Sequence, residues 1–224
     1  CRLSKHNLND EWTPFEDALA LKVFPCLSNL TLKKWHKNLY DYLESTPFIT
    51  EMVLENHGQT KLDFSHTSLL RLSLDMTGVE EVILNDDLEK LILLGEVKAD
   101  CKIQARDGGD ILLLQTDSSI PKLQGLDDLG RLHFMRVTAL DLAEVFESYP
   151  KLRELRLWGK PGNLVQFEKL AEFNNLEVFT TVDLFGFTAE AIPKPESLPK
   201  LRILWMNSLP EDAAKITKKL YKKR

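Results

Sequence analysis

Through most of this chain one spacing recurs: an apolar residue, two residues of any kind, a second apolar residue, one residue of any kind, and a third apolar residue. The units are Leu27/Leu30/Leu32, Ile49/Met52/Leu54, Leu69/Leu72/Leu74, Leu88/Leu91/Leu93, Gly109/Leu112/Leu114, Leu129/Leu132/Phe134, Leu152/Leu155/Leu157, Leu176/Phe179/Thr181 and Leu201/Leu204/Met206. Only Gly109 and Thr181 break the apolar rule, and successive units start about 19 to 25 residues apart. The second and third positions are two residues apart, so in an extended strand they share one face and the residue between them takes the other. A coil this short cannot bury its apolar face alone. Stacked coils turn the strands into one parallel sheet and the leucines into one core, so the spacing is useful only when repeated.

The halves of the coils between these strands change character along the chain. Leu62/Phe64, Val79/Val82/Leu84, Cys101/Ile103 and Ile120/Leu123 predict strand-like returns in the early coils. Later, Leu140, Ala143, Val145 and Phe146 follow Thr138 as a helix cap and stop at Tyr149-Pro150. Leu164, Phe167, Leu170, Ala171 and Phe173 repeat a helical spacing before Asn174-Asn175. The chain then divides into an N-terminal capping segment over residues 1–26, an array of about nine units over 27–209, and a C-terminal capping helix over 210–224. Trp12 to Val23 predicts a helix begun near Thr13-Pro14 and laid over the first strand. After Pro210, Glu211 and Asp212 in the first turn and Lys218, Lys219, Lys222, Lys223 and Arg224 in the last match the helix dipole, with Ala213, Ile216 and Leu220 on one face.

These units resemble those of the leucine-rich repeat superfamily, and the short early intervals are similar to its bacterial members. The resemblance covers about residues 27 to 209 and implies an α/β fold: a right-handed, curved solenoid with a parallel sheet on the concave face. Its convex side would be strand-like or irregular in the early repeats and helical in the later ones. The family consensus also asks for Asn or Cys three residues after the third apolar position. Here Trp35, His57, Thr77, Glu96, Asp117, Val137, Lys160, Leu184 and Leu209 stand there, so the turn after the strand must be built differently. Cys1-Arg2-Leu3 would suit the end of one further unit, and a start at Cys1 instead of methionine predicts a missing upstream piece.

Composition narrows the function classes. With 43% hydrophobic and 28% charged residues the chain is expected to fold, and it contains no apolar run long enough to span a membrane. A net charge of -5 disfavours nucleic acid as a partner of the main body. Three scattered cysteines give no disulfide framework and predict a reducing, cytoplasmic setting. His6, His36, His57, His66 and His133 show no paired-ligand spacing, and no phosphate-loop, GxSxG or GxGxxG motif is present. Asp107-Gly108-Gly109-Asp110 lacks the oxygen series of a calcium loop and is expected to be a turn. Neither enzymatic activity, a metal nor a cofactor is expected.

What remains is binding. The family uses its open sheet as a preformed surface, so the resemblance implies a protein partner on the concave face. The residues between the second and third apolar positions read Thr31, Val53, Ser73, Ile92, Leu113, His133, Arg156, Thr180 and Trp205, and the next column reads Lys33, Glu55, Asp75, Leu94, Gln115, Met135, Trp158, Val182 and Asn207. Acidic groups, Glu51, Glu55 and Asp75, fall at the start. Arg131, Arg136, Arg153, Arg156 and Arg202 fall in the later units beside Trp158 and Trp205, a mixture enriched at protein-binding hot spots. The expected partner-binding residues are Ile92, Leu113, Arg131, His133, Met135, Arg153, Arg156, Trp158, Arg202 and Trp205. Three versions of that function stay open: the recognition part of a larger bacterial regulatory protein, a free-standing inhibitor or immunity-type protein whose acidic and apolar face covers a toxin or enzyme active site, and the substrate-selecting part of an enzyme whose catalytic domain lies elsewhere.

Overall fold

The computed structural model describes residues 2–3, 27–35, 37–98, 100–105, 112–114, 123–124, 129–207, 209 and 211–221. Its strands in chain order are β1 (Arg2–Leu3), β2 (Asn29–Leu32), β3 (Glu51–Leu54), β4 (Lys61–Asp63), β5 (Arg71–Asp75), β6 (Glu81–Leu84) and β7 (Lys90–Leu94). They continue as β8 (Lys102–Ala105), β9 (Leu112–Leu114), β10 (Leu123–Gln124), β11 (Arg131–Asp141), β12 (Glu154–Val165), β13 (Val178–Phe185) and β14 (Ile203–Met206). Among the described residues three α-helices accompany them: α1 (Leu39–Ser45), α2 (Leu142–Ser148) and α3 (Glu211–Tyr221). The protein is mixed α/β and built mostly of strands, and every described strand pair is parallel.

The strands form two sheets. A ten-stranded sheet runs β1-β2-β3-β5-β7-β9-β11-β12-β13-β14, and a four-stranded sheet runs β10-β8-β6-β4. From β3 to β11 the chain therefore alternates between the sheets, one strand in each. Parallel strands need a crossover, and here the crossover is itself a strand of the second sheet. Later crossovers are helical: α2, then the 3-10 segments Phe167–Glu172, Ala189–Ala191 and Pro195–Ser197. The change from strand-like to helical returns follows the sequence reading, with α1 in the first coil as an unexpected early helix.

The spaced apolar residues fill the core. Apart from the unit begun at Gly109, every first, second and third position is buried except Leu204 and Met206, which are partly buried and pack on the same cluster. Burial alternates along β2, β3, β5, β6 and β7, because successive side chains leave opposite faces of the pleat. Thr181 shows that the third position need not be apolar: it is fully buried on β13, level with Leu157 and Met206.

Each coil is fixed on the next at its corner. Ser28 O accepts N–H groups from both Thr50 and Glu51, each at 3.0 Å, and Thr50 O accepts from Leu70 and Arg71 at 2.8 and 2.9 Å. The same double acceptance recurs at Leu70 O, Gly130 O, Arg153 O and Glu177 O, and on the second sheet at Thr60 O. Buried backbone groups are thus satisfied from coil to coil at the point where the chain bends.

The residues of the turns after the strands are held in different ways. His57 is buried; Gln59 N–H donates to its Nδ1 at 3.0 Å, which leaves Nε2–H to donate to the Asp75 carbonyl of the next coil at 2.6 Å. One ring thus links two turns, the work of an amide ladder. Val137 and Leu184 instead sink into the core.

Several expectations need correction. Thr138 does not cap a helix. It lies inside β11, and the cap is Asp141, whose carboxylate accepts from Ala143 N at 2.8 Å. Leu140 and Leu164 are likewise strand residues, because β11 and β12 run on and pair Leu140 with Leu164 after two register shifts. The C-terminal helix forms as expected, with Ala213 buried and Ile216 and Leu220 packed against the core. Arg2 and Leu3 pair with Asn29 and Leu30, continuing the large sheet. The expected helix over Trp12–Val23, the Asp107–Asp110 turn, and residues 222–224 lie outside the described residues.

Gly159 holds β12 against β13 where the ladder shifts: a Cβ there would stand 2.1 Å from the backbone oxygen of Asp183, whose own φ is 52°. Gly159→Ala should therefore destabilise the protein by about 3 kcal/mol, read as a lower urea midpoint. An unchanged midpoint would mean that the two strands are not held this closely.

Candidate interaction face

One face of the ten-stranded sheet packs on the core, and the opposite face carries the candidate residues. Strand register sets them in columns. Thr31, Val53, Ser73 and Ile92 are Cα partners in succession, and so are His133, Arg156, Thr180 and Trp205. Trp205 is 55% exposed, whereas Thr180 is buried between its neighbours. In the next column Trp158 pairs with Val182, both half-buried, as is Met135.

The fifth unit is displaced by one residue from the sequence reading. Leu113 pairs with Leu91 and Leu132, whose side chains are buried, while Leu114 pairs with Ile92 and His133. Register therefore puts Leu114, and not Leu113, level with the outward column. Leu112-Leu113-Leu114 offers three consecutive leucines, and spacing alone cannot say which of them alternate inward.

A further column, which includes Glu51 and Arg131, shares this face. Glu51, Arg71 and Lys90 are Cα partners, Lys90 pairs with Leu112 and Leu112 with Arg131, and Arg131, Glu154, Val178 and Ile203 follow. Period-two alternation was the available signal, because these residues stand two before the recognised column and share its face. Val178 and Ile203 extend the apolar end, and Ile203 is 51% exposed.

At the start of the sheet the acids are already engaged. Glu51 accepts from Asn29 and pairs with Arg71 at 2.9 Å, and Glu55 lies 3.7 Å from Lys33. Asp75 accepts Asn56 N–H and Thr77 N–H, each at 3.0 Å. Burial raises the Asp75 carboxyl, but the hydroxyl and N–H of Thr77 and the N–H of Asn56 outweigh it and hold the group below its usual range.

The far half is organised around Glu154. His133 Nε2–H donates to Glu154 Oε1 at 2.7 Å, and Arg156 Nε lies 2.7 Å from the same oxygen without hydrogen-bonding alignment. The His133 ring stands 5.9 Å from the Trp158 ring, tilted by 58°. Burial pushes the imidazole below its ordinary range. Glu154 pulls it up by less, and Arg156 and Lys90 add to the lowering. His133, Arg156 and Trp158 are thus brought together by adjacent strands, with Glu154 as the group that orients two of them.

Arg131 is exposed on this face, but Arg153 and Arg202 sit at the corners before β12 and β14. The Arg153 guanidinium lies over Gly130, where a Cβ would come within 3.1 Å, and Arg202, 80% exposed, is 3.8 Å from Glu177. Ile92 is half-buried beside Ser73. Among the described residues no cluster of three or more His, Cys, Asp or Glu is placed to hold a metal ion, and no helix is long and apolar enough to cross a membrane. Cys101 is buried in the core and its thiol is pushed up to about 11 by burial first, then by Asp100, so it stays protonated near neutrality.

Comparison with family models, with curated proteins and with solved structures finds no match to this chain.

The depressed His133 pKa has a stability consequence. Unfolded, the imidazole takes up its proton near its ordinary value of 6.5, while the folded ring resists to lower pH. Stability contributed by the neutral ring is therefore present above that pH and lost as pH falls toward the folded value. His133→Gln, which keeps a donor for Glu154, should lose less stability than the parent between about pH 7 and pH 5, measured by urea denaturation. Equal losses would show that the ring is not held neutral.

Proposed function

We propose that this chain is a leucine-rich repeat solenoid that binds a protein partner through the outward face of its ten-stranded sheet, over β11 to β14. The observation that carries the reading is the exposed apolar group at the end of that sheet: Trp205 and Ile203 are more than half exposed, with half-buried Val178 in the Ile203 column and half-buried Trp158, Val182 and Met135 in the neighbouring one. Soluble domains rarely leave such residues contiguous, and a Trp with arginines around it is the composition of an interface centre. The solenoid is supported by the recurrent unit, the parallel register throughout and the alternation of the chain between two sheets.

Binding is favoured over catalysis because His133, Glu154 and Arg156 are committed to one another. Glu154 serves both His133 and Arg156, which orients them as a surface and commits that carboxylate. The inhibitor version fares less well, since the acids that would cover a basic cleft are neutralised within the chain by Arg71, Lys33 and backbone N–H groups. A cytoplasmic setting accords with the buried, protonated Cys101 thiol.

Trp205→Ala and Trp158→Ala should each weaken a captured partner by about 2 kcal/mol or more with little change in melting temperature. Lys102→Ala, on the exposed side of the second sheet, should leave capture intact. Equal capture by all three variants would remove the face from its proposed role.

A further inference from the structure

The partner's chemistry follows from which charges on this face are left over, an inference that rests on the binding role proposed above. Acids at the start of the sheet are neutralised by Arg71, Lys33 and backbone N–H groups, and Glu154 is shared between His133 and Arg156. The cations are not matched in the same way. Lys90 and Arg131 lie in one column on either side of β9, and among the described residues neither has a carboxylate within ion-pair distance. Arg202, at the corner before β14, has among the described residues Glu177 alone at 3.8 Å and is 80% exposed, a contact weak enough in water to be exchanged for a better one. A chain of net charge -5 thus presents a locally positive strip running into its exposed apolar end.

We infer that the face takes an acidic protein segment carrying aromatic or large aliphatic anchors: carboxylates over Lys90 and Arg131, with a second acidic group at Arg202, and apolar side chains against Trp158, Ile203 and Trp205. From β7 to β14 the sheet order crosses five strand spacings, so the strip is about 24 Å long. An extended segment of seven or eight residues covers it. Single-stranded RNA also combines negative charge with rings that stack, but Val178, Val182 and Ile203 offer branched aliphatic surface in place of stacking platforms.

The test is selection from an unbiased displayed library of 12-residue peptides on the full chain, followed by anisotropy titration of the selected peptides and of a 12-nucleotide single-stranded RNA. The inference expects peptides rich in Asp and Glu with at least one aromatic or large aliphatic residue. Their affinity should fall at least tenfold in Trp205→Ala and in the double charge reversal Arg131→Glu/Arg202→Glu, and at least tenfold between low and high salt. Exchanging each peptide's acids for Lys should abolish binding. Peptides that depend on Trp205 but carry no acidic excess would overturn the inference and leave the binding face standing. Tight RNA binding that Arg131→Glu/Arg202→Glu removes would overturn it in favour of a nucleic-acid partner. No Trp205-dependent ligand of either kind would overturn the face as well. Circular dichroism of each variant keeps a folding failure from being counted as lost binding.

Discussion

A coil of about twenty residues holds too little apolar surface to fold by itself, and one interaction lets neighbouring coils share what they have: the corner carbonyl that accepts two N–H groups from the next coil. At Ser28, Thr50, Leu70, Gly130, Arg153 and Glu177 this contact sets the height at which the next strand begins. The height fixes the register, and the register decides which side chains turn inward. Once Leu72 stands level with Met52 and Leu91, the residues between and beside them have no choice but the opposite face. The outward face is in this sense a by-product of core packing, and its chemistry is free to vary because the core does not use it.

That separation explains why so much of the fold was legible in the residues. Two leucines at fixed spacing, repeated with a period too short for an independent domain, leave few arrangements other than stacked parallel strands, and the buried positions follow one by one. The parts that were not legible are those where a local signal is degenerate or where a distant partner overrides it. Leu112-Leu113-Leu114 fits either register, and pairing with β7 and β11 decides it. Thr138 is a good helix cap by type, yet β12 offers Ala139, Leu140 and Asp141 ladder partners, so the strand continues and Asp141 takes the cap. His57 departs from the repeat consensus as a residue type while meeting the hydrogen-bonding need behind it, through a ring with a donor on one side and an acceptor on the other.

The candidate site was half legible. Trp158, His133, Arg156 and Trp205 fall on the outward face by period-two counting, whereas the role of Glu154, which holds two of them, depends on side-chain contacts that spacing does not show. Charges were harder still. A linear reading of Glu51, Glu55 and Asp75 sees an acidic patch, but the sheet sets Arg71 and Lys33 beside the two glutamates and turns N–H groups onto Asp75, so little negative charge is left over. Lys90 and Arg131, which among the described residues have no carboxylate within ion-pair distance, come into one column only once β9 brings their strands to either side of it.

The account stands on the side of the sheet to which the tryptophans belong, and one spectroscopic measurement addresses it. In a chain whose only tryptophan is Trp205, the others being replaced by phenylalanine, fluorescence of the free protein should lie at long wavelength and be readily quenched by acrylamide, and a bound ligand should shift it to shorter wavelength and shield it. Short-wavelength, poorly quenched emission from the free protein would place the ring in the interior and contradict the division of the chain into an inward set of leucines and an outward binding face.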